Sequence, residues 1–159
     1  MKVLIVSDTH GRNANLEKLI SMAKPFDSLI HLGDVEGSEE YIRRLVDGPV
    51  RIVSGNNDFF CDLPREIEVE IGKYKVLLTH GHYYYVSLNT DELYRQARAR
   101  GIDIVMFGHT HKPYLETRGG VTVLNPGSLS YPRQAGRRPS YIWMELDEAG
   151  KAHFEVCYL

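Results

Sequence analysis

The sequence predicts an α/β fold in which two sheets pack face to face beneath outer helices, and three observations carry the prediction. Strand-length apolar runs alternate with helix-period segments in the first third of the chain. An alternating hairpin follows, and the last third is mostly strand-like. The chain has 159 residues, 43% of them hydrophobic, which suits one domain spanning 1–159 with a real core and is short for two.

Val3 to Val6 is an unbroken apolar run and reads as a buried strand. Asn13 to Lys24 then carries Leu16, Leu19, Ile20 and Ala23 at helical spacing. Ser28 to Leu32 is a second short apolar run, Glu39 to Val46 a second helix with Tyr41, Ile42, Leu45 and Val46 on one face, and Pro49 to Val53 a third strand. This alternation favours a partly parallel sheet. Beyond Pro64, Ile67, Val69 and Ile71 alternate with acidic residues, Gly72-Lys73 is turn-like, and Val76 to Leu78 is apolar again, so the segment reads as a hairpin. Thr90 to Arg100, with Leu93, Ala97 and Ala99, predicts a helix stopped by Gly101, and Ile104 to Phe107 another buried strand. Leu115, Val121 to Leu124, Tyr141 to Leu146 and Phe154 to Tyr158 mark further strands, separated by Gly119-Gly120, Pro126-Gly127 and Glu148 to Gly150.

A net charge of −2 argues against a broad cationic footprint for bulk nucleic acid but leaves room for a local phosphate-binding patch. Cys61 and Cys157 form neither a CxxC pair nor a disulfide framework, which suits a reducing compartment. The N-terminal apolar run ends at Val6, too short for a signal peptide or a membrane span. The expectation is a cytoplasmic protein without a membrane partner.

Polar residues with chemical potential collect directly after the strands. Ser7-Asp8-Thr9-His10 follows the first, Gly33-Asp34 the second, Gly55-Asn56-Asn57-Asp58 the third, His80-Gly81-His82 the hairpin, and Gly108-His109-Thr110-His111 the strand after the third helix. In open α/β sheets, ligands bind beyond the carboxyl ends of the strands, so these loops can converge on one place. Taken singly, each motif has an ordinary explanation, since Asp serves turns and N-caps. Jointly, five of the seven histidines (His10, His80, His82, His109 and His111) fall in these loops beside three aspartates, which a solvated surface does not require. His31, inside an apolar run, is expected to be a satisfied core histidine, and His153 incidental. Imidazole, carboxylate and amide oxygen together suit Mn²⁺, Fe or Zn²⁺ better than the all-oxygen cage of Ca²⁺. Asp34, with two carboxylate oxygens, can bridge two ions. Gly33, Gly55, Gly81 and Gly108 either let backbone approach the metals or simply turn the chain.

In this order and number, Asp8-x-His10, Gly33-Asp34, Gly55-Asn56-Asn57-Asp58, His80-Gly81-His82 and Gly108-His109-Thr110-His111 resemble the calcineurin-like metallophosphoesterase superfamily, from residue 1 to about residue 146. The short length and Asn125-Pro126-Gly127-Ser128 resemble its small microbial phosphodiesterase branch, related to a retromer subunit. The resemblance implies a four-layer α/β/β/α sandwich of two mixed sheets flanked by helices. It also implies a dinuclear centre, with Asp8, His10 and His111 on one metal, Asn56, His80 and His109 on the other, and Asp34 bridging. The implied cofactors are two divalent ions, Mn²⁺ foremost with Ni²⁺, Fe²⁺ or Zn²⁺ as alternatives, set roughly 3.5–4 Å apart as in other two-metal sites. A hydroxide bridging them would attack a phosphodiester in line, with Asp34 and Asn56 in the catalytic set. A homodimer is also implied.

One position departs from the family pattern. Many members carry His directly after the motif asparagine, as a leaving-group acid; Asn57 stands there in this chain and cannot donate a proton near neutral pH. His82 is the candidate substitute acid, with a purely structural role as its alternative. Asn57 is then a candidate substrate contact, and Asp58 a candidate for orienting the loop or a ligand. Ser128 and Arg133, with Arg137 and Arg138, can bind outer phosphate oxygens, or form only a turn and a solvated basic loop. Tyr83, Tyr84 and Tyr85 can stack on a nucleobase or line a subunit contact, but strand-like alternation would turn at least one into the core, and Phe59 and Phe60 are read the same way.

The leading function is therefore a phosphodiesterase acting on a small or nucleotide-like substrate. A protein-binding scaffold with a degraded site is the second reading, against which the filled ligand set speaks. A nuclease on polymeric DNA or RNA is the third, without a basic stripe to support it.

Overall fold

The computed structural model describes residues 1–23 and 25–159. Two five-stranded sheets form its centre. In the first, β1 (Lys2–Val6), β2 (Ser28–His31) and β3 (Val50–Ile52) run parallel, connected through α1 (Ala14–Ala23) and α2 (Glu39–Arg44). The last two strands of the chain, β9 (Ser140–Leu146) and β10 (Ala152–Tyr158), add antiparallel beyond β1, giving the order β10-β9-β1-β2-β3. The second sheet begins with the antiparallel hairpin β4 (Glu66–Ile71) and β5 (Tyr74–Thr79). After α3 (Asp91–Arg100), β6 (Ile104–Met106) and β8 (Val121–Pro126) lie parallel to β5, and β7 (Pro113–Arg118) closes the edge antiparallel, giving the order β4-β5-β6-β8-β7.

Strand periodicity explains why this becomes four layers. Successive side chains of β1 point to opposite faces. Val3 and Ile5 join Ile30, Val76, Met106 and Leu124 in the core between the sheets, while Leu4 and Val6 face Leu16, Leu19, Ile20 and Ile42 of α1 and α2. On the far side, Leu77 and Val105 of the second sheet meet Leu93, Tyr94 and Ala97 of α3. Both sheets are thus apolar on both faces, which is why the central strands read as continuous hydrophobic runs. The expected four-layer α/β/β/α sandwich of two mixed sheets is the observed one.

The expected elements are present with ends shifted by at most two residues, and the Lys24 end expected for the first helix lies outside the described residues. The second helix stops at Arg44 rather than Val46, with the Leu45 N–H bonded to Ile42 O, yet Leu45 and Val46 still pack on the α1 and α2 core. Of the expectations about aromatic residues, an inward-facing tyrosine is observed, while the extended path of that segment and the burial of Phe59 or Phe60 are not. His82–Tyr84 is a 3-10 turn, not an extended segment, because Gly81 (φ +99°) and Tyr85 (φ +56°) at its two ends break the strand path. Tyr84 packs inward and its hydroxyl bonds Glu66, whereas Tyr83 and Tyr85 remain exposed. Phe59 and Phe60 also lie on the surface rather than in the core. Among the described residues, no helix is long and apolar enough to cross a membrane, and both cysteines are free.

His31, at the end of β2, is a satisfied core histidine as expected. It is fully buried, its Nδ1 accepts the Gly33 N–H at 3.3 Å, and its Nε2 therefore carries the proton facing Thr9 Oγ1 at 3.0 Å. Burial lowers its pKa from 6.5 to about 4, against the opposing pull of Asp8 and Asp58. A histidine held neutral in the native state takes up its proton first in the unfolded state. Its contribution is therefore present above pH 6.5 and lost as pH falls toward 4. The metal-free protein should lose on the order of 3 kcal/mol across that window from this residue. Urea unfolding of wild type and His31→Gln at pH 7.5 and pH 4.5 checks this, with the variant showing the shallower pH dependence.

Candidate metal centre

The five chemical loops leave the carboxyl ends of β1, β2, β3, β5 and β6 and meet at one edge of the sandwich. Backbone bonds tie neighbours together. The Asp8 N–H donates to Gly33 O (3.1 Å), His10 N–H to Asp34 O (2.8 Å), Gly108 N–H to His80 O (3.1 Å) and His109 N–H to Asp8 Oδ2 (3.1 Å). The chain folds into this knot at a cost. Asp8, His10, Asp34, His109 and His111 all hold positive φ, between +49° and +69°. Non-glycine residues visit that region at a cost of about 1–2 kcal/mol each, and such outliers collect where function over-determines the backbone. Gly55 is required by proximity, since a Cβ there would sit 2.1 Å from Asp34 Oδ1.

Asp8, His10, Asp34 and His111 each place one ligand atom within 4.8 Å of the others, and all but His10 are buried. His10 Nδ1 faces Glu36 Oε1 at 2.7 Å and His111 Nδ1 faces Tyr131 O at 2.7 Å. Carbonyl and carboxylate oxygens only accept, so these Nδ1 atoms carry the protons and both Nε2 lone pairs point inward. Those two Nε2 atoms are only 3.1 Å apart, and Asp8 Oδ1, fully enclosed and without a hydrogen bond, lies 3.1 Å from His111 Nε2. Three electron-rich atoms pressed together in a buried place call for a cation.

Beside them the arrangement repeats. His80 Nδ1 donates to Leu32 O at 2.6 Å, which leaves its Nε2 bare at 3.0 Å from Asn56 Oδ1, and His109 Nδ1 lies 2.8 Å from the same oxygen. Asp34 stands between the two groups, its Oδ2 at 3.7 Å from His10 Nε2 and 3.5 Å from His80 Nε2. The donor chemistry and the inward-facing lone pairs fit divalent cations in both groups.

The electrostatics agree. Burial opposes ionisation of Asp8, but the neighbouring His111 and His80 outweigh it and hold the carboxyl at about 2. Burial likewise works against His111, yet the Asp8 carboxylate carries its pKa above the ordinary value. Burial, then His80, depresses His109.

Asp58, expected to orient the loop or a ligand, bonds backbone on both neighbouring loops. Its Oδ2 accepts the N–H groups of Asp34 and Gly55 and its Oδ1 that of Glu36, all at 2.7 Å, so one carboxylate fixes two ligand loops. Asp58→Asn puts an amide NH₂ against one of these donors. Metal affinity should fall by about 10–100-fold, as read by competition against a chromogenic chelator.

Other expectations meet mixed outcomes. Ser128 does not face a ligand: it is fully buried, its hydroxyl donates to Asp8 O and accepts the Ser130 and Tyr131 N–H groups, so its work is to hold the Asp8 loop. Asn57 donates its backbone and side-chain N–H groups to Asp34 Oδ1 (2.9 Å) and Oδ2 (2.8 Å) and lines a cleft with Glu36, Gly37 and Phe59. Arg133 is exposed in a cleft of about 680 Å³ beside His10 and His111, together with Tyr131 and Arg137. His82 lies with its ring 5.4 Å from His80 and 6.1 Å from His109, its Nδ1 enclosed and unpartnered. Burial and then His80 lower its pKa to about 4, so at neutral pH it rests unprotonated. His153 is an exposed residue paired with Asp147 at 2.8 Å. Glu36 and the Tyr131 carbonyl were missed from sequence. Only the short step from Asp34 to Glu36 hinted at the first, and a backbone carbonyl leaves no sequence signal.

Comparison with known proteins agrees with this geometry. The Calcineurin-like phosphoesterase superfamily domain matches residues 1–149. The "Probable metallophosphoesterase YsnB" of Bacillus subtilis is 35% identical over 92% of this chain and 85% of its own. The "Phosphodiesterase MJ0936" of Methanocaldococcus jannaschii is 32% identical over 80% and 83%. A crystal structure of a "predicted phosphoesterase" from Streptococcus pneumoniae superposes with a TM-score of 0.82 at 32% identity, covering 99% of this chain and 88% of that one. With the Asp, His and Asn loops gathered at one edge of the same sandwich, the chain belongs to the calcineurin-like phosphoesterase superfamily and is a metal-dependent phosphoric ester hydrolase.

Proposed function

We propose that the chain is a dinuclear phosphodiesterase for small or nucleotide-like diesters. Asp8, His10 and His111 hold one divalent ion, Asn56, His80 and His109 the other, and Asp34 lies between. The observation that carries this reading is the doubled apposition of bare acceptors, His10 Nε2 against His111 Nε2 at 3.1 Å and His80 Nε2 against Asn56 Oδ1 at 3.0 Å. When bound, such ions act as Lewis acids toward phosphoryl oxygens and make water a nucleophile near neutral pH. Mn²⁺ is the first choice, with Ni²⁺, Fe²⁺ and Zn²⁺ as alternatives for the same donors.

The protein's own part is to hold the centre rigid and to frame the diester. Asn57 pins both oxygens of Asp34 and so fixes its orientation. Arg133 and Arg137 form a cationic wall beside His10 and His111, and among the described residues neither makes a side-chain ion pair, so both are available to outer phosphoryl oxygens. Asn57 occupies the position after the ligand Asn56 where many members of the resembled superfamily have a histidine, and its amide has no proton to give near neutral pH. Esters with good leaving groups are therefore the favoured substrates. The diester assignment draws support from the archaeal relative named a phosphodiesterase.

The test is Mn²⁺-dependent hydrolysis of an activated aryl phosphodiester, run beside the matching monoester and single-stranded DNA. Diester turnover that chelation abolishes, with little monoester or polymer cleavage, supports the reading. A metal-loaded protein that cleaves only the monoester or only the polymer contradicts it.

A further inference from the structure

The Asn56 side of the proposed centre carries a surface that catalysis by metal ions does not explain. Phe59 is 73% exposed and Phe60 fully so, and Tyr83 is also largely open to solvent. Three large rings in water contribute little to folding, and exposed aromatic patches of this kind mark binding surfaces. They line one cleft of about 410 Å³ with Asn56, Arg65 and His82. Phe59 is three residues from Asn56 and Tyr83 adjoins His82, so the cleft continues directly from the candidate ligands. The Arg65 guanidinium lies 5.1 Å from the centre of the Tyr83 ring, and the His82 ring is 4.1 Å from it on the inner side. The result is an aromatic ledge with the Arg65 cation over the Tyr83 ring, leaving Phe59 and Phe60 as its open faces. The cleft on the other side of the centre is of different character, with His10, His111, Arg133 and Arg137.

A phosphodiester has two arms, and the two clefts differ as two dissimilar arms would require. We propose that the ledge of Phe59, Phe60 and Tyr83 binds a nucleobase, so that the substrate is a nucleotide diester. Its phosphorus lies over the centre, its base stacks on the ledge, and its other, anionic arm reaches toward Arg133 and Arg137. This rests on the dinuclear reading for the position of the phosphorus only. Base stacking tolerates any flat ring, which suits the open faces of Phe59 and Phe60.

The test uses Mn²⁺-loaded protein and equilibrium binding of adenosine 5′-monophosphate, ribose 5-phosphate and adenosine. Wild type should bind the nucleotide about tenfold or more tightly than ribose 5-phosphate, in line with one stacked base. The double variant Phe59→Ala, Phe60→Ala should bring that ratio close to one and leave ribose 5-phosphate affinity unchanged. The exposure of both rings means that the variant should fold as wild type does. Equal affinities in wild type, or an undiminished ratio in the variant, would overturn the ledge. So would a wild-type dimer that the double variant dissociates in sedimentation, since the rings would then be covered by a second copy. Adenosine has no phosphate and reads the ledge alone, while ribose 5-phosphate binding that ignores Mn²⁺ would count against the dinuclear reading and not against the ledge.

Discussion

Asp34→Asn should abolish metal-dependent turnover while leaving the fold intact. The substitution is nearly isosteric, and asparagine tolerates the left-handed conformation that Asp34 holds at φ +56°. The amide oxygen can still accept the Asn57 backbone N–H that now bonds Oδ1 at 2.9 Å. What it cannot do is present a second anionic oxygen between His10 Nε2 and His80 Nε2, which lie 3.7 Å and 3.5 Å from Oδ2. One of the two carboxylates facing the proposed ions is neutralised, and the amide NH₂ in place of one oxygen repels a cation. The expected loss in kcat is roughly 10²–10³-fold or more, the range seen when a group acting on transition-state charge is removed. Mn²⁺ should raise the wild-type melting temperature, as any ligand of the native state does, and raise that of the variant much less. Wild-type turnover from Asp34→Asn at saturating Mn²⁺ would remove Asp34 from the centre.

Gly108→Ala should damage the protein severely. No left-handed conformation is involved at this glycine, so alanine meets no backbone penalty of its own. The obstacle is space. A Cβ would lie 2.1 Å from Ser7 Oγ, 2.9 Å from Asp8 Oδ2 and 3.1 Å from Leu32 O. Ser7 and Asp8 are fully buried, and the His109 N–H already bonds Asp8 Oδ2, so the neighbours cannot retreat. Overpacking of this kind should cost about 3 kcal/mol or more and move Asp8 off its place, weakening metal binding as well. Gly136→Ala is the contrast, since nothing lies within 4 Å of a Cβ there and only its φ of +80° opposes the change. Chemical denaturation of the two metal-free variants should separate them clearly; equal midpoints would mean that the β1 and β6 loops are less tightly packed than the geometry states.

The legibility of this chain in its sequence follows from physics that differs between the fold and the site. Continuous runs such as Val3 to Val6 announce strands buried on both faces, and Leu16, Leu19 and Ile20 show the helical stripe that covers them. The candidate ligands were legible because five loops repeat one logic, an apolar strand followed by Asp, Asn or His. Aromatic side chains were only partly legible, since Tyr84 does pack inward but by another path. Tyr83 to Tyr85 satisfies an alternation rule, but Gly81 turns the chain before the rule can act, and Phe59 and Phe60 follow a ligand loop that carries them into solvent. Ser128 shows the reverse error. Next to a Pro-Gly turn it reads as a phosphate contact, while its hydroxyl is consumed by three backbone partners that no local pattern reveals. Glu36 and the Tyr131 carbonyl orient His10 and His111 from loops whose proximity is purely tertiary.

Two cation positions sharing Asp34 are the core of the proposed function, and metal stoichiometry tests it most directly. Chelator-stripped protein dialysed against Mn²⁺ and weighed by native mass spectrometry should carry two ions per chain, falling below two in His80→Ala and in His111→Ala. One ion or none in the wild-type protein at saturating Mn²⁺, or two ions retained in both variants, would contradict it.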